Sequence, residues 1–234
     1  MIQKRLRHTA AKSRFVVNKW RHRLKGMPCF IVGNGPSLDK IFIHKLDDYF
    51  TIGINRVFKK DNFDPTVLMW QDIDMWITER HTIMKLQAIK LARNVSDPRG
   101  ISHTFRTVAG EFKLTTDLVT LYGSGATAPL AFQVAIYLDC DPIILVGCDC
   151  RYAGGKTNFY GINKFHKQHS MLNCKKGLIW MKRCQTTSRV ISCSDDDVFL
   201  PENKMTLEDA IEKYSKSYPG KGREYFVGKL FEKS

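Results

Sequence analysis

The sequence predicts an α/β fold, a mostly parallel sheet with helices on both faces and a basic amphipathic helix in front of it. Two observations carry this prediction. Short apolar runs alternate with helix-patterned stretches along the chain, and most of those runs stop at a glycine-rich or polar turn. A third observation sets the scale: with 234 residues, 43% apolar and 26% charged, the chain has material for one sizeable soluble core.

Five runs read as strands, at residues 28–32, 49–54, 66–71, 142–146 and 189–193. They are short, apolar and bounded by turn residues. Shorter strands are expected near 88–91 and 103–106, in a stretch (86–122) of weak patterning. Helical spacing appears at 38–46, 74–84, 127–138, roughly 165–184, and 207–214. The segment 215–234 is expected to dock on the domain through Tyr225, Phe226, Leu230 and Phe231. The organisation is therefore an arm (1–26), one domain (27–214) and a docking tail (215–234).

Formal charge is +14 and unevenly spread. Residues 1–26 carry nine Lys or Arg and no acid, leaving only +5 for the rest. Within the arm Leu6, Ala10, Val17, Trp20 and Leu24 recur at helical spacing. Such a helix suits an anionic membrane surface, a nucleic-acid backbone, or docking of its Trp20 stripe on the domain. No apolar run reaches the ~18 residues of a membrane span and no secretory signal is visible, so a cytoplasmic protein is expected, peripheral on the inner membrane face if the arm binds lipid. Seven scattered cysteines read as reduced thiols rather than a disulfide framework. Cys148 and Cys150, with Cys174 and Cys184 downstream, match no common zinc spacing.

In parallel sheets ligands sit outside the carboxyl ends of the strands, so the residues after each strand are the candidates. After the first come Gly33, Asn34, Gly35, Pro36 and Ser37. The glycines permit positive φ and bare backbone, and Pro36 suits a helix start whose free N–H groups bind phosphate; a plain strand-to-helix turn is the alternative. Asn55 and Arg56 follow the second strand, where an Asn amide reads a base or ribose or occupies a left-handed turn. Asp72 and Asp74 follow the third: either hard ligands for Mg²⁺ or Mn²⁺, or a helix cap at Asp74 with Asp72 bonded to nearby loops. Ser124 and Gly125 lie in a small-residue loop that opens a helix, and Asp149 ends the fourth apolar run. The loop beyond contains Tyr152, Tyr160, His166 and His169. A histidine there is either a general base for a sugar hydroxyl or a solvated surface group.

The stretches FIVGNGPSLDKI, TIGINRVF and GSGATAPLAFQVAIYLDCDPIILVGCDCRYAGG resemble the bacterial sialyltransferases of glycosyltransferase family 42. They equally resemble the domain shared by motility accessory factors and 6-hydroxymethylpterin diphosphokinases. The resemblance covers about residues 28–200. It implies a Rossmann-like nucleotide-binding domain in which Asn34, Gly35 and Ser37 contact phosphate and ribose and Asn55 holds the nucleoside. Ser124 and Gly125 would flank the donor, Asp149 would organise the site, and Tyr152 and Tyr160 would hold the leaving phosphate. His166 or His169 is the nearest candidate base. Asp72 and Asp74 depart from the metal-free sialyltransferase pattern and pull toward the metal-using relatives.

The expectation is therefore a glycosyltransferase that takes a CMP- or UDP-linked sugar, with Mg or Mn if the carboxylates ligate. The acceptor would be a hydroxyl on a bacterial surface glycan such as lipopolysaccharide. Three alternatives stand beside it: a phage-type transferase acting on hydroxymethylated DNA, an ATP-dependent pyrophosphokinase of a small alcohol such as a pterin, and a non-catalytic nucleotide-binding module.

Overall fold

The computed structural model describes residues 19–97, 100–110, 112–123, 125–151, 155–162, 168–184, 188–215 and 222–232. Eight strands form one sheet: β1 (Cys29–Val32), β2 (Thr51–Ile54), β3 (Val67–Trp70), β4 (Ile89–Arg93), β5 (His103–Val108), β6 (Thr120–Tyr122), β7 (Ile143–Val146) and β8 (Val190–Cys193). Their order is β6-β5-β4-β3-β2-β1-β7-β8, and every pairing is parallel. The helices are α1 (Ile73–Lys85), α2 (Ala128–Tyr137), α3 (Gln168–Arg183), α4 (Leu207–Ser215) and α5 (Gly222–Phe231). This is the Rossmann-like α/β class, with the order reversing between β1 and β7.

Why the central strands are apolar on both sides is visible in their alternation. Cys29 and Ile31 of β1 face one core layer, while Phe30 and Val32 face the other. Leu68 and Trp70 of β3, and Ile144 and Val146 of β7, repeat the pattern opposite Val67, Met69, Ile143 and Leu145. A parallel sheet covered on both faces requires such continuous apolar runs. One layer is closed by α2, α3 and α5, the other by α1, α4 and the turns after β1 and β2.

Two expectations need correcting. The helix expected over 38–46 is two short 3-10 turns, Pro36–Lys40 and Ile43–Leu46. Ile41 and Phe42 between them are extended, which breaks the helical path. Residues 19–26 form turns rather than a helix. Trp20 and Leu24 are completely buried, so this part of the arm belongs to the core; Leu6, Ala10 and Val17 lie outside the described residues. Phe226 and Leu230 are buried on α5, and Phe231 meets the Trp20 ring edge-on at 6.1 Å.

Candidate functional site

A cavity of about 540 Å³ opens at the carboxyl edge of the sheet, spanning the ends of β7, β1, β2, β3 and β4. Three interstrand spacings separate β1 from β4, about 14 Å. Among the predicted residues, the cavity wall contains Gly33, Asn34, Gly35, Asn55, Arg56, Asp72, Asp74, Gly125, Asp149 and Tyr160. Pro36 and Ser37 are not part of it. Ser124, Tyr152 and His166 lie outside the described residues, as does the side chain of His169.

The Gly-Asn-Gly-Pro-Ser turn works differently from its reading in the sequence. Gly35 has φ −62°, and neither Gly33 nor Gly35 is among the positive-φ residues. Both are glycine because the loop after β7 packs on them. A Cβ on Gly33 would sit 2.3 Å from the Gly147 carbonyl oxygen, and one on Gly35 would sit 2.5 Å from the Asp149 carboxyl. The N–H of Gly33 donates to Val146 O and that of Gly35 to Gly147 O, each at 2.7 Å. Ser37 gives its N–H (2.7 Å) and hydroxyl (2.5 Å) to the two oxygens of Asp149. The donors expected to hold a phosphate are already matched within the protein. Asp149 clasps the β1 turn; desolvation raises its pKa, opposed by the Ser37 bonds.

What the turn leaves over is Asn34. Its Nδ2 donates to Ile54 O at 2.8 Å, its carbonyl receives Phe159 N–H, and its Oδ1 is buried without a partner. A buried acceptor left unmatched carries a free-energy cost. On the cavity wall it is an acceptor prepared for a ligand donor.

The β2 and β3 ends carry the charge. Arg56 is buried and donates to Glu79 (2.9 Å), Asp74 (3.0 Å) and Thr78 (2.9 Å). Lys59 also reaches Glu79, at 2.7 Å. Asp74 is thereby committed to a buried ion pair. The N-cap of α1 is Asp72 rather than Asp74, and the Asp72 side chain makes no capping bond. Its pKa is raised, first by desolvation, then by the neighbouring Asp74, with Arg93 and Arg56 opposing. Burial also raises the pKa of Tyr160, with Arg56 opposing, so its hydroxyl keeps its proton at neutral pH. Among the described residues no group of three or more His, Cys, Asp or Glu is arranged to hold a metal ion. Asp74 is committed to the Arg56 ion pair, while Asp72 makes no ion pair among the described residues.

Asn55 occupies the left-handed region, φ 50°, and its Oδ1 accepts from Thr127 Oγ1 at 3.4 Å. Thr127 in turn accepts from Gln71 Nε2 at 3.1 Å. This relay pins the start of α2 beside the ends of β2 and β3, with Gly125, Ala126, Thr127 and Ala128 on the cavity wall.

Several wall residues escaped the sequence reading: Arg93, Thr127, Asn158, Asn173, Cys150 and Cys174. Arg93 ends β4; its Nε is buried without a partner and, among the described residues, the side chain makes no ion pair. A strand boundary drawn two residues later would have found it.

Parallel order, a reversal between β1 and β7, and a polar cavity at that reversal define a Rossmann-like α/β class, in which ligands bind at such a reversal. A family model described as 6-hydroxymethylpterin diphosphokinase MptE-like matches residues 7–155, and the chain belongs to that family. Among solved structures, the chain is similar to the sialyltransferase CstII from Campylobacter jejuni in complex with cytidine-5'-monophosphate. Identity is 14%, with 78% of this chain and 85% of that one covered and a TM-score of 0.47. An alpha-2,3-sialyltransferase from Campylobacter jejuni in apo form is similar at 16% identity, covering 77% and 80%, with a TM-score of 0.42. No curated protein sequence matches. No helix among the described residues is long and apolar enough to cross a membrane.

Proposed function

We propose that the protein is a glycosyltransferase that moves a sugar from a nucleotide-sugar donor to an acceptor hydroxyl. The observation that carries this reading is the division of labour between the two carboxylates: Asp74 is neutralised by Arg56, while Asp72 lines the cavity and makes no capping hydrogen bond. One unpaired carboxylate with a raised pKa suits a general base; a metal–diphosphate clamp prefers both.

In this reading the nucleoside lies along β1 and β2, its donor groups meeting Asn34 Oδ1. The donor phosphate rests at the start of α2, where the helix dipole favours an anion; Pro129 has no N–H there, and the Leu130 and Ala131 N–H groups already donate to Thr127 O. The acceptor oxygen attacks the anomeric carbon and passes its proton to Asp72, as the bond from that carbon to the phosphate oxygen breaks. The leaving phosphate is met by the positive end of the α2 dipole, Arg93 and the Tyr160 hydroxyl. His166 and His169 remain the rival bases, and Tyr152 and Ser124 remain candidates beside the phosphate. The acceptor is a hydroxyl of a bacterial surface glycan, a choice supported by the basic arm, whose nine cations suit the anionic inner membrane face.

A second reading, diphosphate transfer from ATP to a small alcohol, is favoured by the description of the matching family. A thermal-shift screen against CMP, UDP, GDP, ADP and ATP, with and without Mg²⁺ and Mn²⁺, separates the two, because a ligand that binds only the native state raises the melting temperature. The glycosyltransferase reading expects a metal-independent shift with CMP or UDP. A shift confined to ATP with Mg²⁺ would replace it with the kinase, and no shift with any nucleotide would sink both.

A further inference from the structure

One flank of α1 carries apolar side chains that the fold leaves uncovered. Ile73, Ile77 and Met84 are 39%, 64% and 53% exposed, and their spacing places them within about 40° of one another around the helix. Met75, Trp76 and Ile83 fill the core side, while Asp74 and Thr78 turn to Arg56 at the end of β2. The apolar stripe is therefore the flank away from β2, toward β4. There α1 meets the short turn Asn94–Ser96 that follows β4. Trp70 Nε1 donates to Ser96 O at 3.1 Å and Ser96 Oγ to Gln71 O at 2.5 Å, which fixes this turn beside the start of α1. Its Val95 is 63% exposed. The uncovered side chains thus border the cavity, whose wall contains Ile73 and Arg93.

Charge decides what covers this surface. Arg80 lies in the same stripe and is exposed; among the described residues it makes no ion pair, and its Nε contacts only the His81 ring, at 3.4 Å. Both acids of α1, Asp74 and Glu79, are taken up by Arg56 instead. Exposed apolar groups with an unpaired cation among them suit the surface of an anionic bilayer: the apolar ends enter the acyl boundary and the guanidinium stays level with the lipid phosphates. A second copy of this chain is the poorer occupant, because a two-fold contact through the stripe would bury the same unpaired cation twice.

We propose that the outer flank of α1, together with Val95, is a lipid-contact surface that holds the cavity mouth against an anionic membrane. Ile77, Met84 and Val95 enter the interface and Arg80 pairs with lipid phosphate. The contact differs in kind from any made by the cationic leader, since apolar burial survives the salt that screens exposed charge. It also specifies the acceptor, a hydroxyl on a glycan carried by a membrane lipid and presented across the rim to Asp72. That consequence rests on the glycosyltransferase reading above; the lipid contact does not.

The test sediments the full-length protein with vesicles of equal parts phosphatidylcholine and phosphatidylglycerol, in about 0.1 M and then about 1 M salt, where charge attraction is screened within a few ångströms. The expected result is binding that persists at high salt and weakens at least about tenfold in Ile77→Glu and again in Val95→Glu. Leu200→Glu, at a half-exposed leucine beyond β8 and toward the opposite edge of the sheet, should bind as the parent does. Circular dichroism checks that all variants are folded. No binding by the parent at high salt, or parental binding by folded Ile77→Glu and Val95→Glu, overturns the proposal. A parent that is dimeric without vesicles and monomeric as Ile77→Glu gives the surface to a second copy and overturns it as well. Failure of CMP or UDP to shift the melting temperature would instead strike the transfer reading and leave the lipid contact standing.

Discussion

The two ends of the cavity are built on opposite principles. At the β1–β7 end almost every polar group has a protein partner: Gly33 and Gly35 N–H with the β7 strand and loop, Ser37 with Asp149, and Cys148 N–H with Ser194 Oγ at 2.8 Å. Toward β4 lie Asp72, which leaves its cap position unused, and Arg93, whose Nε is buried and unmatched. Asn34 spans both, one amide atom fixed and the other free. The conspicuous glycine motif is thus the saturated scaffold, and the residues with chemistry to spare are the plainer ones beside it. Saturated polar clusters rigidify; unsatisfied groups cost stability and persist where function uses them.

Asp72→Asn tests the active end most severely. Loss of a general base lowers kcat by about 10²- to 10⁴-fold, whereas the nucleotide-induced melting shift should survive. On the proposed reading Asp72 must be ionised to act, and its pKa is raised. Activity should therefore fall with acidification at a higher pH than an ordinary carboxylate would give. An acid limb unchanged by Asp72→Asn would move the base to a histidine.

Gly33→Ala strikes the scaffold end. With the new methyl 2.3 Å from a backbone carbonyl oxygen, the β7 loop must shift, at a cost of about 1–3 kcal/mol, read as a lower denaturation midpoint at constant m-value. Gly35→Ala should act similarly through the Asp149 carboxyl. Full stability in both variants would show that the loops are not the close-packed joint described above.

An effect of similar size, but on binding rather than folding, is expected at Arg93→Gln. Losing a charge-assisted contact to an anionic ligand costs about 1.5–3 kcal/mol, seen as at least a tenfold weaker Kd for the nucleotide with stability little changed. Loss of stability without loss of affinity would return Arg93 to the scaffold.

The smallest effect lies away from the cavity and serves as a control. His44 touches Asp47 and the Asp61 carbonyl, each at 3.0 Å, and its pKa is raised, chiefly by the Asp47 hydrogen bond. Its contribution is fully present below the unfolded value of about 6.5 and is lost as pH rises through the raised folded value. Stability curves across that window should flatten in His44→Gln, with nucleotide affinity untouched.

The sheet was legible because burial on both faces forces unbroken apolar runs. The seven strands read from such runs all occur, whereas β6, three residues with only Thr120 and Leu121 buried, was too short to show. Asp72, Asn34 and Asp149 were legible because strand ends in a parallel sheet converge on one rim. Arg93 was not, since the predicted strand stopped at 91 and β4 runs to Arg93. Asn158, Asn173 and Cys174 could not be found this way: they reach the cavity through the packing of a loop and a helix, which no local pattern encodes. The glycines were noticed for close approach, and in the structure the groups that approach them are Gly147 and Asp149.

The burial of Trp20 and Leu24 governs where this chain can be cut. Arg23 donates to the Glu232 carbonyl at 3.0 Å and Trp20 touches Phe231, so the described ends of the chain form a latch that closes one flank of the sheet. A truncation at Gly26, the natural boundary from charge alone, would open that latch and expose core, producing an aggregating fragment easily mistaken for one that has lost its membrane address. Trimming before Lys19 separates the cationic leader from the latch, and only that shorter deletion would report on what the leader binds.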